Sequence, residues 1–241
     1  MYQQKINKAL KLHKKRLNGP GGEKVNFSYN DLSTIDICSA DFRSVDFRSA
    51  SFRSAIIQNI DFSDANLCGV DFRFAKICNS KLCDADLTNA DFSDCGLSNC
   101  DLSNCDLRNA NFFGAKLSNV KLDGVIYNGG THFFALQCPE EGSFIGWKKC
   151  CDDRIVKLLI PEDAKRSSAT TRKCRCDKAK VLEIWDKNGN LIQKAYSKND
   201  ADFVYRIGET VSVPNFDEDR WQECAPGIHF FITRKEAEMY N

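Results

Sequence analysis

Between Asn26 and Val125 a large apolar residue recurs every five positions, a spacing that neither regular secondary structure supplies. Twenty consecutive units hold this register without an insertion, and Ile126-Tyr127 opens another. The series begins NFSYN, DLSTI, DICSA, DFRSV, DFRSA and ends NFFGA, KLSNV, KLDGV. The second residue of each unit is Phe, Leu or Ile; the fifth is nearly always small or β-branched, as at Ala40, Val45, Ala85, Cys95 and Val120. Asp or Asn usually comes first, and polar residues fill the third and fourth places. A helix would bury residues about 3.6 apart and a half-buried strand every second one. A period of five needs a chain that turns a corner in every unit, burying one large and one small side chain each time.

This pattern resembles the pentapeptide-repeat family, whose units read A-(D/N)-(L/F)-x-x. The resemblance implies a mainly β fold, a right-handed quadrilateral β-helix with four units per coil and therefore about five coils. At the roughly 4.7–4.9 Å spacing of paired strands such a rod is about 25 Å long. Residues twenty apart then stack, which places Phe47 between Phe27 and Leu67. Each buried Leu or Phe contributes about 1.5–3 kcal/mol, offset by the entropy of ordering the backbone. Coils meet only their neighbours, so stability is a sum over interfaces and open ends need caps.

Within such a rod, function belongs to the outward third and fourth positions and to breaks in the pattern. Arg43, Arg48 and Arg53 follow one another around three adjacent sides, and Arg73 stacks over Arg53. Lys76, Lys81, Lys116 and Lys121 stand where Asp is usual, and Phe74 and Phe113 occupy outward places. Cys95, Cys100 and Cys105 take the small inward position, where a thiol acts as a compact hydrophobe. Cys38, Cys68, Cys78 and Cys83 face outward, with no two of them twenty apart, so no ladder of metal ligands is expected.

Residues 1–22 form a separate segment. Ile6, Leu10, His13 and Leu17 recur at helical spacing among lysines, and Gly19-Pro20-Gly21-Gly22 closes the run. An amphipathic helix capping the first coil is expected there. The chain of 241 residues has a formal net charge of +1. That balance hides an uneven distribution: the repeat region carries nine basic against fourteen acidic residues. A nucleic-acid binder is therefore weakly supported. No apolar run approaches the roughly 18–20 residues that span a bilayer, and the basic N-terminus lacks the features of a secretory signal. The thirteen cysteines are read as reduced thiols of a cytoplasmic protein.

The repeat is assigned to residues 23–130 and a small α+β domain to 131–241. Arg154–Ile160 reads as a strand ended by Pro161. Val181–Trp185 and Leu191–Tyr196 read as a hairpin about Asn188-Gly189, followed by strands at Phe203–Ile207, Thr210–Val213 and Gly227–Ile232. Thr233 and Glu236 make a capping box for a short helix reaching Tyr240. The basic, hydroxyl-rich segment 165–175 is an expected anion site, through Lys165, Arg166, Ser167, Ser168, Lys173 and Arg175. Cys224, Gly227 and His229 mark a candidate functional turn. No catalytic set is assigned, because a thiol and an imidazole five residues apart come without an oxyanion hole or an orienting third group. No metal or cofactor is expected either: a Cys150-Cys151 pair and a Cys174-x-Cys176 pair lack the two-to-four-residue spacing of zinc ligands.

Three stretches of this domain, GWKKC at 146–150, IPEDAKRSSAT at 160–170 and ECAPGIHFFITRKEAEMY at 223–240, carry a second resemblance. They are similar to a domain of unknown function that accompanies pentapeptide repeats or stands alone in phage, bacterial and large-DNA-virus proteins. A fainter similarity joins GIHFF to a strand–helix of ADP-ribosyltransferases. The companion histidine strand and catalytic glutamate are missing here, and that activity is not assigned. The reading that results is a non-enzymatic protein-interaction module: a rigid β-helix surface with a C-terminal contact or ligand-sensing domain. One alternative is a DNA mimic inhibiting an enzyme such as gyrase, as the resemblance to quinolone-resistance proteins implies. The other is a nucleotide- or phosphate-binding, or transferase-like, C-terminal domain.

Overall fold

The protein is described here from a computed structural model covering residues 25–240. The expected helix at 1–22 lies outside the described residues. Contacts divide the chain into two compact units between Phe134 and Ala135.

The first unit is a solenoid. On one of its four sides β1 (Asp36–Cys38), β2 (Ile56–Gln58), β3 (Lys76–Cys78), β4 (Gly96–Ser98) and β5 (Lys116–Ser118) form a parallel sheet in sequence order. Each strand pairs with the residue twenty further on, as in Ile37 with Ile57 and Ile77 with Leu97. The other three sides are held by parallel bridges at the same interval, such as Asn26–Asp46–Asn66–Asp86–Asp106.

Each position of the five-residue unit has a physical task. The first-position carboxylate or amide accepts a bond from the third residue's N–H, as Asp101 does from Ser103 at 3.1 Å. On three sides the fifth residue's N–H donates to the second residue's carbonyl, as from Ala50 to Phe47 at 2.9 Å. The fourth residue has positive φ in every unit from Tyr29 to Gly124. A tight turn of this kind requires φ > 0 at its third residue, which favours Gly, Asn and Asp. The corner amides also stack: Asn119 donates to Asn99 and Asn99 to Asn79, each at 3.2 Å.

Thr34 is the least suited corner residue, a β-branched side chain at φ 60°. Thr34→Asn is therefore expected to stabilise the solenoid by about 0.5–1 kcal/mol. Chemical denaturation measures this, and a neutral or destabilising result would show that the corner is unstrained.

Inside, the second-position rings form columns. Phe52, Phe72, Phe92 and Phe112 stack at centroid spacings of 5.3, 5.2 and 5.0 Å. Phe27 stacks on Phe47 at 5.3 Å. The coil continues beyond Gly130. His132 pairs with Asn111, one residue out of register, and Phe134 adds a ring against Phe112. Thr131 makes this possible by taking the buried fifth position and donating its hydroxyl to the Leu107 carbonyl.

The second unit is a small α+β domain. Strands β6 (Phe144–Lys149), β7 (Ile155–Ile160), β10 (Lys178–Trp185) and β13 (Thr210–Ser212) make an antiparallel sheet in the order β13-β10-β7-β6. Strands β8 (Arg166–Ser168), β9 (Cys174–Cys176) and β14 (Ile228–Phe230) make a second sheet, and β11 (Lys194–Tyr196) pairs with β12 (Val204–Arg206). Helix α1 (Arg234–Met239) starts from a complete capping box of Thr233 and Glu236.

Val156, Leu158, Val181, Ile184, Tyr205, Ile228 and Phe230 fill the core together with Cys150, Cys174 and Cys176. Gly146 is required where the sheets meet, because a Cβ there would lie 2.7 Å from the Phe230 ring. One local expectation changes. The hairpin at 186–190 turns as expected but closes with a single Trp185–Leu191 bridge, after which β11 leaves to pair with β12. The basic segment 165–175 begins and ends in β8 and β9, paired antiparallel.

Candidate functional site

The three-stranded sheet brings the two candidate segments of the C-terminal domain together. Its pairing sets Ser167 opposite Arg175 and Arg175 opposite His229, one row across β8, β9 and β14. Arg175 is only 2% exposed. Its guanidinium donates to the carbonyls of Asp217, Asp219 and Pro226 and covers the Phe216 ring at 5.0 Å. Arg166 donates to the carbonyls of Pro139, Gly142, Pro161, Glu162 and Ala164. Both guanidinium groups are thus committed to clamping loops, which differs from the expected anion-binding role. The other members of that expected site are also engaged or buried. Lys165 pairs with Glu218, Ser168 accepts the Gln137 N–H, and the Ser167 hydroxyl is buried.

Lys173 is the exception, because it reaches the Cys224 turn. Its ammonium lies 3.8 Å from Cys224 Sγ and 3.7 Å from a Glu223 carboxylate oxygen. Cys224, Gly227 and His229 line a cavity of about 340 Å³ with Lys148, Asn199, Phe203 and Val213. An adjoining cavity of about 230 Å³ shares Lys148, Cys224 and His229 and adds Lys149, Lys173, Lys198 and Tyr240. Lys148 donates to the His229 carbonyl at 3.2 Å and lies over the Tyr205 ring. Burial, and then the charge of Lys173, push its pKa down. His229 falls to about 4, first through burial and then through Lys173 and Lys148, so its imidazole is neutral at pH 7. Its Nε2 meets the Glu223 carbonyl at 3.2 Å.

Sequence reasoning missed Lys148, Lys149 and Lys198. The available signal was the adjacent Lys148-Lys149 between Trp147 and Cys150, two charges inside a segment otherwise apolar enough to be a strand.

On the solenoid, the arginines do not stand free. Arg43, Arg48, Arg73 and Arg108 each fork back onto the Asp two residues earlier, with closest contacts of 2.8, 2.7, 2.7 and 2.5 Å. The Arg108 fork holds the Asp106 carboxyl below its ordinary pKa. These pairs neutralise part of the acidic surface that duplex mimicry would use. Arg53 follows Ser51, so it has no such carboxylate in its own unit and lies over the Phe74 ring at 5.0 Å. Phe74 and Phe113 are 48% and 43% exposed, and Phe113 meets Phe133 edge-on at 5.0 Å.

Among the described residues no group of three or more His, Cys, Asp or Glu is placed to hold a metal ion. No helix there is long and apolar enough to cross a membrane. Cys38 and Cys224 are exposed, whereas Cys95, Cys100, Cys105 and Cys150 are buried. Burial raises Cys95 well above the ordinary thiol value, Cys100 to about 11, and Cys105 and Cys150 to about 12. A raised pKa keeps the thiol protonated and unreactive. Iodoacetamide at about pH 8 is expected to label Cys38 and Cys224 first and those four only on unfolding. Peptide mapping checks the order, and early labelling of Cys105 would contradict the packing.

The fold defines a parallel β-solenoid of five-residue units followed by a separate α+β domain. Two family models match these parts: pentapeptide repeats, in overlapping stretches from 46 to 126, and a family of unknown function, DUF5758, over residues 134–237. The chain therefore carries pentapeptide repeats and a DUF5758 domain, in that order. No curated protein matches the sequence.

Among solved structures, the chain is similar to a pentapeptide repeat protein, Rfr23, from the cyanobacterium Cyanothece 51142. Identity is 17% over 44% of this chain and 89% of that one, with a TM-score of 0.38. It is also similar to QnrB1, a plasmid-mediated fluoroquinolone resistance protein, at 21% identity over 46% of this chain and 61% of that one, with a TM-score of 0.33. A third is HetL from the cyanobacterium Nostoc sp. strain PCC 7120, involved in heterocyst differentiation regulation. There identity is 22% over 43% of this chain and 53% of that one, with a TM-score of 0.26.

Proposed function

We propose that the protein is a non-enzymatic interaction module, in which the solenoid offers a rigid surface to a protein partner and the C-terminal cleft senses a small ligand. The observation that carries the first part is the side built on the units at 51, 71, 91 and 111. It gathers Arg53, Arg73, exposed Phe74 and exposed Phe113 on one bridged column. Arginine and aromatic side chains are the types enriched at protein interfaces, where they bring large contact area with few degrees of freedom to fix. Pairing every coil to the next keeps these groups in place before a partner arrives.

The test is affinity capture from a lysate with the full chain and with a Phe74→Asn, Phe113→Ser double variant. Asn suits the positive φ at position 74, so the variant is expected to keep the fold. Loss of captured protein from a folded variant supports the reading. An identical captured set overturns the choice of this side.

A further inference from the structure

The C-terminal cleft has the chemistry of an anion site with an apolar flank. Four lysines line its two adjoining cavities, from separate parts of the chain: Lys148 and Lys149 on β6, Lys173 ahead of β9, and Lys198 after β11. Asp200 is the carboxylate among the lining residues, and it accepts the Asp202 N–H. Two of the lysines have carboxylate partners nearby, Lys149 with Asp153 at 3.1 Å and Lys173 with Glu223 at 3.7 Å. Lys148 has none among the described residues; its hydrogen bond goes to a main-chain carbonyl. A recessed ammonium without a counter-charge is costly, and an anion entering the cleft relieves that cost. Phe203, Val213 and Pro226 form an apolar wall beside it. The volume of about 340 Å³ lies at the small end of the roughly 300–1,000 Å³ typical of ligand sites.

We propose that this cleft binds a phosphate monoester, its phosphate between Lys148 and Lys173 and the flat face of its organic body against Phe203, Val213 and Pro226. The proposal rests on the reading of the cleft as a ligand-sensing site and does not depend on the solenoid surface. A phosphate fits better than a single carboxylate. Its two charges and three terminal oxygens engage both ammonium groups at once, with Asn199 and Ser197 left to bond the remainder. Lys acts here as a point charge, so the site selects for charge more than for a fixed oxygen geometry.

His229 supplies a reporter, because the charges of Lys173 and Lys148 add to burial in holding its pKa down. Lys148 on β6, Lys173 just before β9, Arg175 on β9 and the Glu223 main chain surround it. An anion bound between the lysines raises the His229 pKa. The full chain is titrated with adenosine monophosphate, inorganic phosphate, adenosine and a dicarboxylate, while the three histidine ring signals are followed by NMR. The expected result is saturable change confined to His229 with the monophosphate, weaker change with phosphate alone and none with adenosine. Its affinity should fall about tenfold or more in Lys148→Met and in Lys173→Gln, the loss of one charge-assisted hydrogen bond each.

Two variants guard against misfolding of either one. A response to the dicarboxylate or to adenosine but not to phosphate overturns the phosphate assignment and keeps a ligand site. No response to any compound overturns both. An unchanged monophosphate response in two folded variants overturns the proposed anchors.

Discussion

Replacing Phe92 by alanine is expected to destabilise the solenoid by about 3–5 kcal/mol. The ring is fully buried and stacked between Phe72 at 5.2 Å and Phe112 at 5.0 Å, so its removal opens a void facing two coils at once. In a linear array each coil is held by its neighbours, and one lost ring weakens both interfaces it shares. Phe113→Ala is the internal comparison, since that ring follows Phe112 of the same column in sequence but faces outward. It should cost less than about 1 kcal/mol. Urea denaturation followed separately for the two units measures both. Equal effects would mean that the ring column is not what holds the coils together.

Arg175→Ala is the change expected to matter most in the C-terminal domain, at about 2–4 kcal/mol. The guanidinium ties the carbonyls of Asp217, Asp219 and Pro226 to β9, and no small side chain can satisfy the acceptors left behind. Arg175→Lys should recover only part of the loss, because one ammonium on a flexible stem cannot reproduce a planar fork reaching several acceptors. The effect should be local as well as global. Amide exchange in residues 216–227 is expected to rise, because that loop carries Cys224 and Gly227 to the cleft. A variant with unchanged exchange in this loop and an unchanged melting profile would show that the arginine is not its clamp.

The solenoid was legible because its pattern is local. A period of five names which residue faces inward, and pairing at twenty follows once four units close a coil. Phe27, Phe47 and the Phe52–Phe112 column therefore stand where the spacing put them. The positive φ at the fourth position was also written in the sequence, as Asn, Asp, Ser and Gly, but read simply as polarity. The slip between Ile126 and Thr131 escaped because one inserted residue changes the register without changing composition.

The C-terminal domain was legible only in its separate elements. Strand β7 and the capping box of α1 depend on neighbouring residues, and both were visible. Which strands pair is a long-range matter, and so is the direction of a charge. Arg166 and Lys173 look alike in a basic run, yet one is drawn into a ring of carbonyls while the other reaches Cys224. Lys148 becomes part of a site only because β14 lies beside β6. The solenoid, its buried columns and its corners could be read from the chain alone, since they follow from contacts at a fixed short interval. The cleft emerged only from the folded arrangement, because it is made by residues as far apart as 148 and 229, and no local spacing encodes their distance.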